Sequence, residues 1–293
     1  ACLDPKSVTT GGRKYSFQVD DSTYHLFQRC LTRGGRHDYV SGSKTPGPNA
    51  FVDALATSAF SDIGPHFRYA TGELYDNIKT NNAINVQNRW TSGTSHGWSG
   101  AQVMFWNVEA GGIICDTPVG AMNWSVGARG SKNEGSWRPG EPEGTWESEG
   151  VPVTPRSLYY AQLEERLGPD ALWQVILPQQ AEGPLWNDLL SWDGDGLLLD
   201  PVVCWVRDNA PPEVNAPVTL RARIRDLQLF ESLAAVSWEV VDGPGTVTFA
   251  NPAQVATTAT FAVSGQYTLR CVADDGTRQE TGSIVIDVRD PAD

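Results

Sequence analysis

The sequence predicts an all-β chain: a parallel β-helix over residues 1–130, a loop-and-helix capping region over 131–210, and a β-sandwich over 211–293. Three observations lead there. A short segment recurs at Arg29–Leu31, Asp53–Leu55, Asp76–Ile78 and Trp106–Val108, its middle residues Cys30, Ala54, Asn77 and Asn107 standing 24, 23 and 30 apart. Those segments lack the 3.6-residue apolar period of a helical repeat. After Pro211, β-type runs alternate with turn signals at short intervals.

Taking the chain in order, a repeat of 20–30 residues built from short strands suggests a solenoid, because one coil cannot bury its own face. Small residues, Cys and Asn at one recurring position suit a coil corner, where an Asn amide can bond to the coil above. Cys2 extends the series back by 28, so the chain is expected to begin inside a coil, as the C-terminal part of a longer solenoid whose missing coils or another copy would be a partner. Cys2 and Cys30 then share a column, either bridged or stacked as small buried groups.

Stacking should also align polar residues. GGRKYSF (Gly11–Phe17), GGRHDYV (Gly34–Val40) and GPHFRYA (Gly64–Ala70) superpose on their leading glycines. One column then holds Arg13, Arg36 and His66; two residues on, a second holds Tyr15, Asp38 and Arg68. His37 falls between the columns and is expected to face the other side. VQNRW and SHGW follow and bring Arg89, Trp90, His96 and Trp98 to the next turn.

Composition excludes some classes. No run of eighteen apolar residues predicts a membrane span, and ACLDPKSV has no secretory-signal pattern. Residues 1–100 carry ten Lys/Arg against eight Asp/Glu, whereas residues 101–293 carry twelve against twenty-seven. The acidic total argues against nucleic acid, while arginines aligned on one coil face could still receive an anion. Five cysteines without CxxC or His/Cys spacing do not suggest zinc; no metal ligand is assigned.

After Gly130 comes a Gly-, Pro-, Glu- and Trp-rich excursion. Trp137 and Trp146 are read as packing it down, with a sugar-stacking platform as their alternative role. Thr154 and Pro155 predict a helix start, PRSLYYAQLEERLG has helical spacing, and Gly168-Pro169 ends it. A short helix PDALWQVI is expected next. In SWDGDG, Asp193 and Asp195 invite calcium, but the remaining EF-hand ligands are missing and a plain turn is preferred. In the last region Trp238 and Cys271 should face the core, and no titratable cluster appears.

Two resemblances follow. TTGGRKYSF, GGRHDYVSG, SDIGPHFRYATGELYDN, VQNRWTSGTSHGWSGA, FWN and TPRSLYYAQL make residues 1–168 similar to the C-terminal coils of right-handed parallel β-helix proteins of the pectate-lyase-like superfamily. VSWEVVDGPGTVTFANP, TTATFAVSGQYTLRCVADDG and IVIDV make residues 212–289 resemble the PKD- or Ig-like modules of secreted and cell-surface proteins.

The first resemblance implies a secreted or cell-surface protein acting on an anionic polysaccharide, by β-elimination rather than hydrolysis. A base would take the proton α to a uronate carboxyl, and cations would stabilise the resulting charge. His66 is preferred as base over Arg68, which stays protonated. Asp38 would orient either one, Arg36 and Arg89 would clamp the carboxylate, and His96, Trp90 and Trp98 complete the substrate-binding set. No acidic triplet of a calcium-dependent lyase is present, so calcium is only a candidate cofactor. Hydrolysis would need paired carboxylates, for which Asp38 and Asp62 are the one nomination. The rival reading is a non-catalytic adhesive, filament or matrix protein, its polar columns serving as structural ion pairs.

Overall fold

The computed structural model describes residues 2–3, 15–191, 202–207, 211–224, 235–274 and 279–291. Strand predominates and the helices are short. Arg13, Asp193 and Asp195, and with them the first member of the arginine column and the SWDGDG turn, lie outside the described residues. The chain divides into two compact units, residues 1–166 with 182–195, and residues 167–181 with 196–293.

Among the described residues, every strand ladder of the first unit is parallel, with isolated antiparallel bridges only at Asn88–Trp98 and Asp116–Glu143. In one, Leu26, Ala50, Leu74, Met104, Trp124 and Thr145 are successive partners. In a second, Leu31, Leu55, Lys79, Glu109 and Arg129 are. Tyr15–Val19 pairs with His37–Ser41, which pairs with Gly64–Pro65; Ala83–Val86 pairs with Gly112–Cys115. Partners 20–30 residues apart thus come to neighbour one another at about 4.8 Å.

Strand alternation decides what goes inside. Phe27, Phe51, Tyr75 and Phe105 each follow a ladder residue by one; the first three rings stack with centroids 5.1 and 5.2 Å apart, and Phe105 meets Tyr75 edge-on at 5.7 Å. Phe51, Tyr75 and Phe105 are fully buried. Rings of this size contribute most of the apolar area an interior column can bury. The ladder residues themselves, Leu26 to Met104, consequently occupy the opposite face.

The chain turns its corner through one column of left-handed residues: Arg29 (φ 56°), Asp53 (48°), Asn77 (54°), Asn107 (50°), Gly127 (67°) and Ser148 (51°). Asp, Asn and Gly tolerate that conformation best. The repeat expected from sequence is therefore present but shifted. Val52 pairs with Asp76 and Ala54 with Ile78, so Asp53 stands opposite Asn77. Cys30 and Ala54 lie one residue past the corner. Cys2 pairs with Thr32, not Cys30, and both thiols are free.

The corner amides also bond elsewhere than expected. Asn77 Nδ2 and Asn107 Nδ2 donate to the Arg156 carbonyl at 2.8 and 2.9 Å, holding the segment that precedes helix Leu158–Leu167. Asp53, fully buried, takes a bidentate pair from Arg156 at 2.7 and 3.1 Å. Asp76 Oδ2 accepts from Ser157 Oγ (2.7 Å) and the Tyr159 amide (2.9 Å). Thr154 and Pro155 stay outside the helix, and Ser157 supplies the cap through a 3.2 Å bond from the Tyr160 amide. Its end comes at Leu167, before Gly168 at φ 83°. Trp146 packs on the core, whereas Trp137 is 52 % exposed.

The second unit holds two antiparallel sheets. Val202–Val206, Pro217–Ile224, Ala256–Phe261 and Val247–Phe249 form one in that spatial order. Ala235–Asp242, Gly265–Asp274 and Gln279–Val288 form the other. Alternate residues from both enter one core that includes Cys204, Leu220, Phe261, Tyr267 and Leu269, together with Trp238 and Cys271 as expected. The predicted helix appears as Pro169–Val175. Arg223 bonds the Trp173 and Ile176 carbonyls beside it, and Asp170 pairs with Arg207 and Arg221.

Candidate active site

The glycine-led superposition does not survive in the ladder. Tyr15 pairs with His37 rather than Asp38, and Gly64 with Val40 rather than Gly34. The pairing instead gathers a different set: Tyr15, His37, Asp62, His66, Arg89 and His96. The His37 and His66 ring centroids are 4.5 Å apart, His66 and His96 5.1 Å, and Tyr15 lies 5.5 and 5.4 Å from His37 and His66. His37 opens its strand, Asp62 and His66 flank the short strand Gly64–Pro65, and Arg89 follows strand Ala83–Val86.

Asp62 is the hub. Arg89 Nη1 donates to Asp62 Oδ2 at 3.1 Å and to His66 Nδ1 at 3.0 Å. His37 Nδ1 lies 2.9 Å from the Asp62 carbonyl oxygen and 3.3 Å from its Oδ1. Both neighbours of that nitrogen accept, so Nδ1 carries the proton and the lone pair sits on Nε2. His37 Nε2 is buried and, among the described residues, has no hydrogen-bond partner.

The opposite tautomer holds at His66. A guanidinium only donates, so Nδ1 accepts and the neutral ring keeps its proton on Nε2. Burial first, then the Arg89 and His37 charges, push the His66 pKa down to about 3. A ring whose lone pair already holds Arg89 is poorly placed as a base. At Asp62 burial pushes the carboxyl pKa up, but the His37 hydrogen bond and the Arg89 guanidinium outweigh it and hold the group well below the usual carboxylate range. Asp62 is thus a fixed anion between two donors.

A cavity of about 300 Å³ opens beside this hub, lined by Arg36, His37, Asp62, Asn85, Arg89 and Trp137. The other sequence candidates lie elsewhere. His66 does not line the cavity, whereas His37 does, although its side chain is only 1 % exposed. Arg68 donates to Thr94 O and Oγ1 at 2.9 and 2.7 Å and sits over the Phe67 ring. Buried Asp38 accepts from Ser16 Oγ at 2.6 Å and takes no hydrogen bond from the residues around Asp62; burial pushes its pKa up. Trp90 is half-exposed with the Arg138 guanidinium 4.0 Å from its ring centroid, and Trp98 pairs its backbone with Asn88. His96 touches His66 and Phe67 at the rim of the cluster.

Sequence reasoning missed His37 and gave Asp62 only a place in a hydrolytic pair. The available signal was that three of the four histidines fall within two coil lengths of one another. Donor atoms of His37, Asp62 and His66 lie within 4.8 Å of one another, near enough to raise a metal site. Arg89 Nη1 already stands between the Asp62 and His66 atoms, so the guanidinium takes the position a cation would need.

No family model and no curated protein matches the chain. Among solved structures, the solution structure of the PKD domain from the KIAA 1837 protein is 19 % identical. That match covers 34 % of this chain and 97 % of the domain, with a TM-score of 0.25. At that score the likeness carries no argument about fold or function.

Proposed function

We propose that the first unit is a run of right-handed parallel β-helix coils, related to the pectate-lyase-like superfamily, and that the protein is a secreted or cell-surface polysaccharide lyase acting on an anionic glycan. All-parallel ladders with a left-handed corner column support the first part. The second rests on one observation: the cavity where Arg36 and Arg89 stand beside a histidine that the Asp62 carboxylate orients. In this reading the antiparallel second unit is a PKD- or Ig-like accessory module.

The chemistry follows from tautomer and charge. A uronate entering the cavity presents its carboxylate to Arg36 and Arg89, which stabilise the enolate-like charge as it develops. His37 Nε2 takes the proton α to the carboxyl group, and Asp62 stabilises the imidazolium. The electron pair left on that carbon forms the new double bond as the bond to the β-oxygen breaks. The departing sugar oxygen takes a proton from water, and the hydroxide so formed takes the proton from the His37 imidazolium, which restores the base. His37 thus replaces His66 as base, and His66 holds Arg89 in position.

A second reading keeps the glycan and drops the cleavage. Asp62, Arg89, His66 and His37 are joined to one another, which also suits a structural polar network in a binding or matrix protein. Incubating the protein with a panel of anionic polysaccharides separates the two. Absorbance rising in the unsaturated-uronate band supports elimination; retention on a glycan column with no rise supports binding alone.

A further inference from the structure

The two sheets of the second unit turn two cysteines toward each other. Cys204 lies on Val202–Val206, at the edge of the four-stranded sheet, and Cys271 on Gly265–Asp274, the middle strand of the three-stranded one. Both enter the same core, where they are 4 % and 0 % exposed. The other three cysteines belong to the first unit.

Gly282 fixes the direction of each side chain. It is the ladder partner of Cys271, and directly opposed residues carry their Cβ atoms on one face. A Cβ on Gly282 would come within 2.0 Å of the Val202 carbonyl oxygen and 3.1 Å of the Val202 side chain. The face that carries the Cys271 side chain is therefore the one Val202–Val206 packs against, and glycine lets that strand approach. From the other side, Cys204 Sγ donates to the Gly282 carbonyl at 3.3 Å. Opposed residues of such a ladder stand about 4.5–5.5 Å apart, which brings the Cys204 sulfur beside Cys271. A hydrogen bond between the two thiols, and then burial, push the Cys204 pKa up, while the same bond pulls that of Cys271 down against burial.

Both are free thiols in this structure. We propose that Cys204 and Cys271 form a covalent modification site: in an oxidising compartment they join in a disulfide that ties the edge strand Val202–Val206 to the middle of the opposite sheet. The chemistry is exchange with a low-molecular-weight disulfide. One protein thiolate attacks a sulfur of that disulfide, breaking its S–S bond and releasing one small thiolate. The second protein thiolate attacks the mixed disulfide, forms the Cys204–Cys271 bond and releases the other. Two protein thiols are oxidised, one small disulfide is reduced, and the two protons go to the released thiolates. Exchange takes place while Val202–Val206 is off the core, because the closed sandwich leaves neither cysteine open to solvent. The two positions are 67 residues apart, so the bond restricts the unfolded chain strongly. None of this depends on the glycan reading.

The test is to unfold and reduce the full chain, refold it with glutathione and glutathione disulfide, alkylate it, and map its peptides by mass spectrometry without reduction. One cross-linked pair containing Cys204 and Cys271 is expected, two hydrogens lighter than the separate peptides. Refolding with reduced glutathione alone should leave both alkylated. In calorimetric melting, one transition of the bridged chain should lie at least about 10 °C above its position in the reduced chain. Cys204→Ala should abolish that difference, and Cys30→Ser, which removes a competing thiol of the first unit, should keep it. If the alanine variant does not fold, the wild-type peptide map decides. Both cysteines alkylated after oxidative refolding, or either one bridged to Cys2, Cys30 or Cys115, would overturn the proposal, as would a bridged chain that melts no higher than the reduced one.

Discussion

Arg89 and Asp62 form an ion pair at 3.1 Å in which the arginine side chain is 6 % and the aspartate 16 % exposed. A pair this enclosed matters chiefly through what its loss leaves behind: one unpaired charge in a poorly solvated site. Arg89→Ala should therefore destabilise the first unit by about 3–5 kcal/mol. Arg68→Ala, which removes only a rim contact, should cost less than about 1 kcal/mol. Urea unfolding of both variants measures the difference.

The same pair sets an acid limit. Asp62 has a folded pKa below its unfolded value, so its contribution is present above the unfolded value and is lost as pH falls toward the folded one. Wild-type stability should drop below about pH 4, and Asp62→Asn should flatten that slope. A wild-type curve unchanged by the substitution would remove Asp62 from the account of acid unfolding.

Glu73 works in the opposite direction. Its folded pKa of about 8 exceeds the unfolded carboxyl value, so the unfolded chain ionises first as pH rises. Stability should decline between roughly pH 4.3 and 8. Asp116, pushed up to about 7 by burial and by Glu141, Glu143 and Glu134, adds to the decline. Glu73→Gln should be more stable than wild type at pH 8 and indistinguishable near pH 4, in thermal melts across that range.

At the corner, Asn77 combines a left-handed backbone with a bond to the Arg156 carbonyl. Asn77→Gly should keep the first and lose the second, costing about 1 kcal/mol. Asn77→Val should lose both and cost about 1–2 kcal/mol more, since a β-branched residue resists positive φ. Hydrogen exchange should quicken along Tyr159–Leu167 in both variants.

These corners were what made the repeat visible in the sequence at all. Asn77 and Asn107 recur because the bend favours residues that accept positive φ, and the period followed from them. The phase did not, because Arg29 and Asp53 fill the same bend with other side chains while neighbouring Cys30 and Ala54 imitate a small-residue column. Superposing glycines failed for a related reason. Gly34 (φ 69°) turns one bend, whereas Gly64 (φ 126°) lies flush against the Asn85 carbonyl, where a Cβ would come within 2.1 Å. One residue type serves two jobs, so aligning on it misplaced Asp38 and Arg68. His37 and Asp62 are 25 residues apart and meet only through the true register.

The most direct test of the account is ultraviolet absorbance in the unsaturated-uronate band on anionic polysaccharides, with wild type beside His37→Ala, Arg89→Lys and Arg68→Ala. The account predicts a rise for wild type and Arg68→Ala, none for His37→Ala, and a strongly slowed one for Arg89→Lys, whose ammonium loses the guanidinium's fork of donors. Full activity in His37→Ala, or no rise on any polysaccharide with folded wild type, would contradict it.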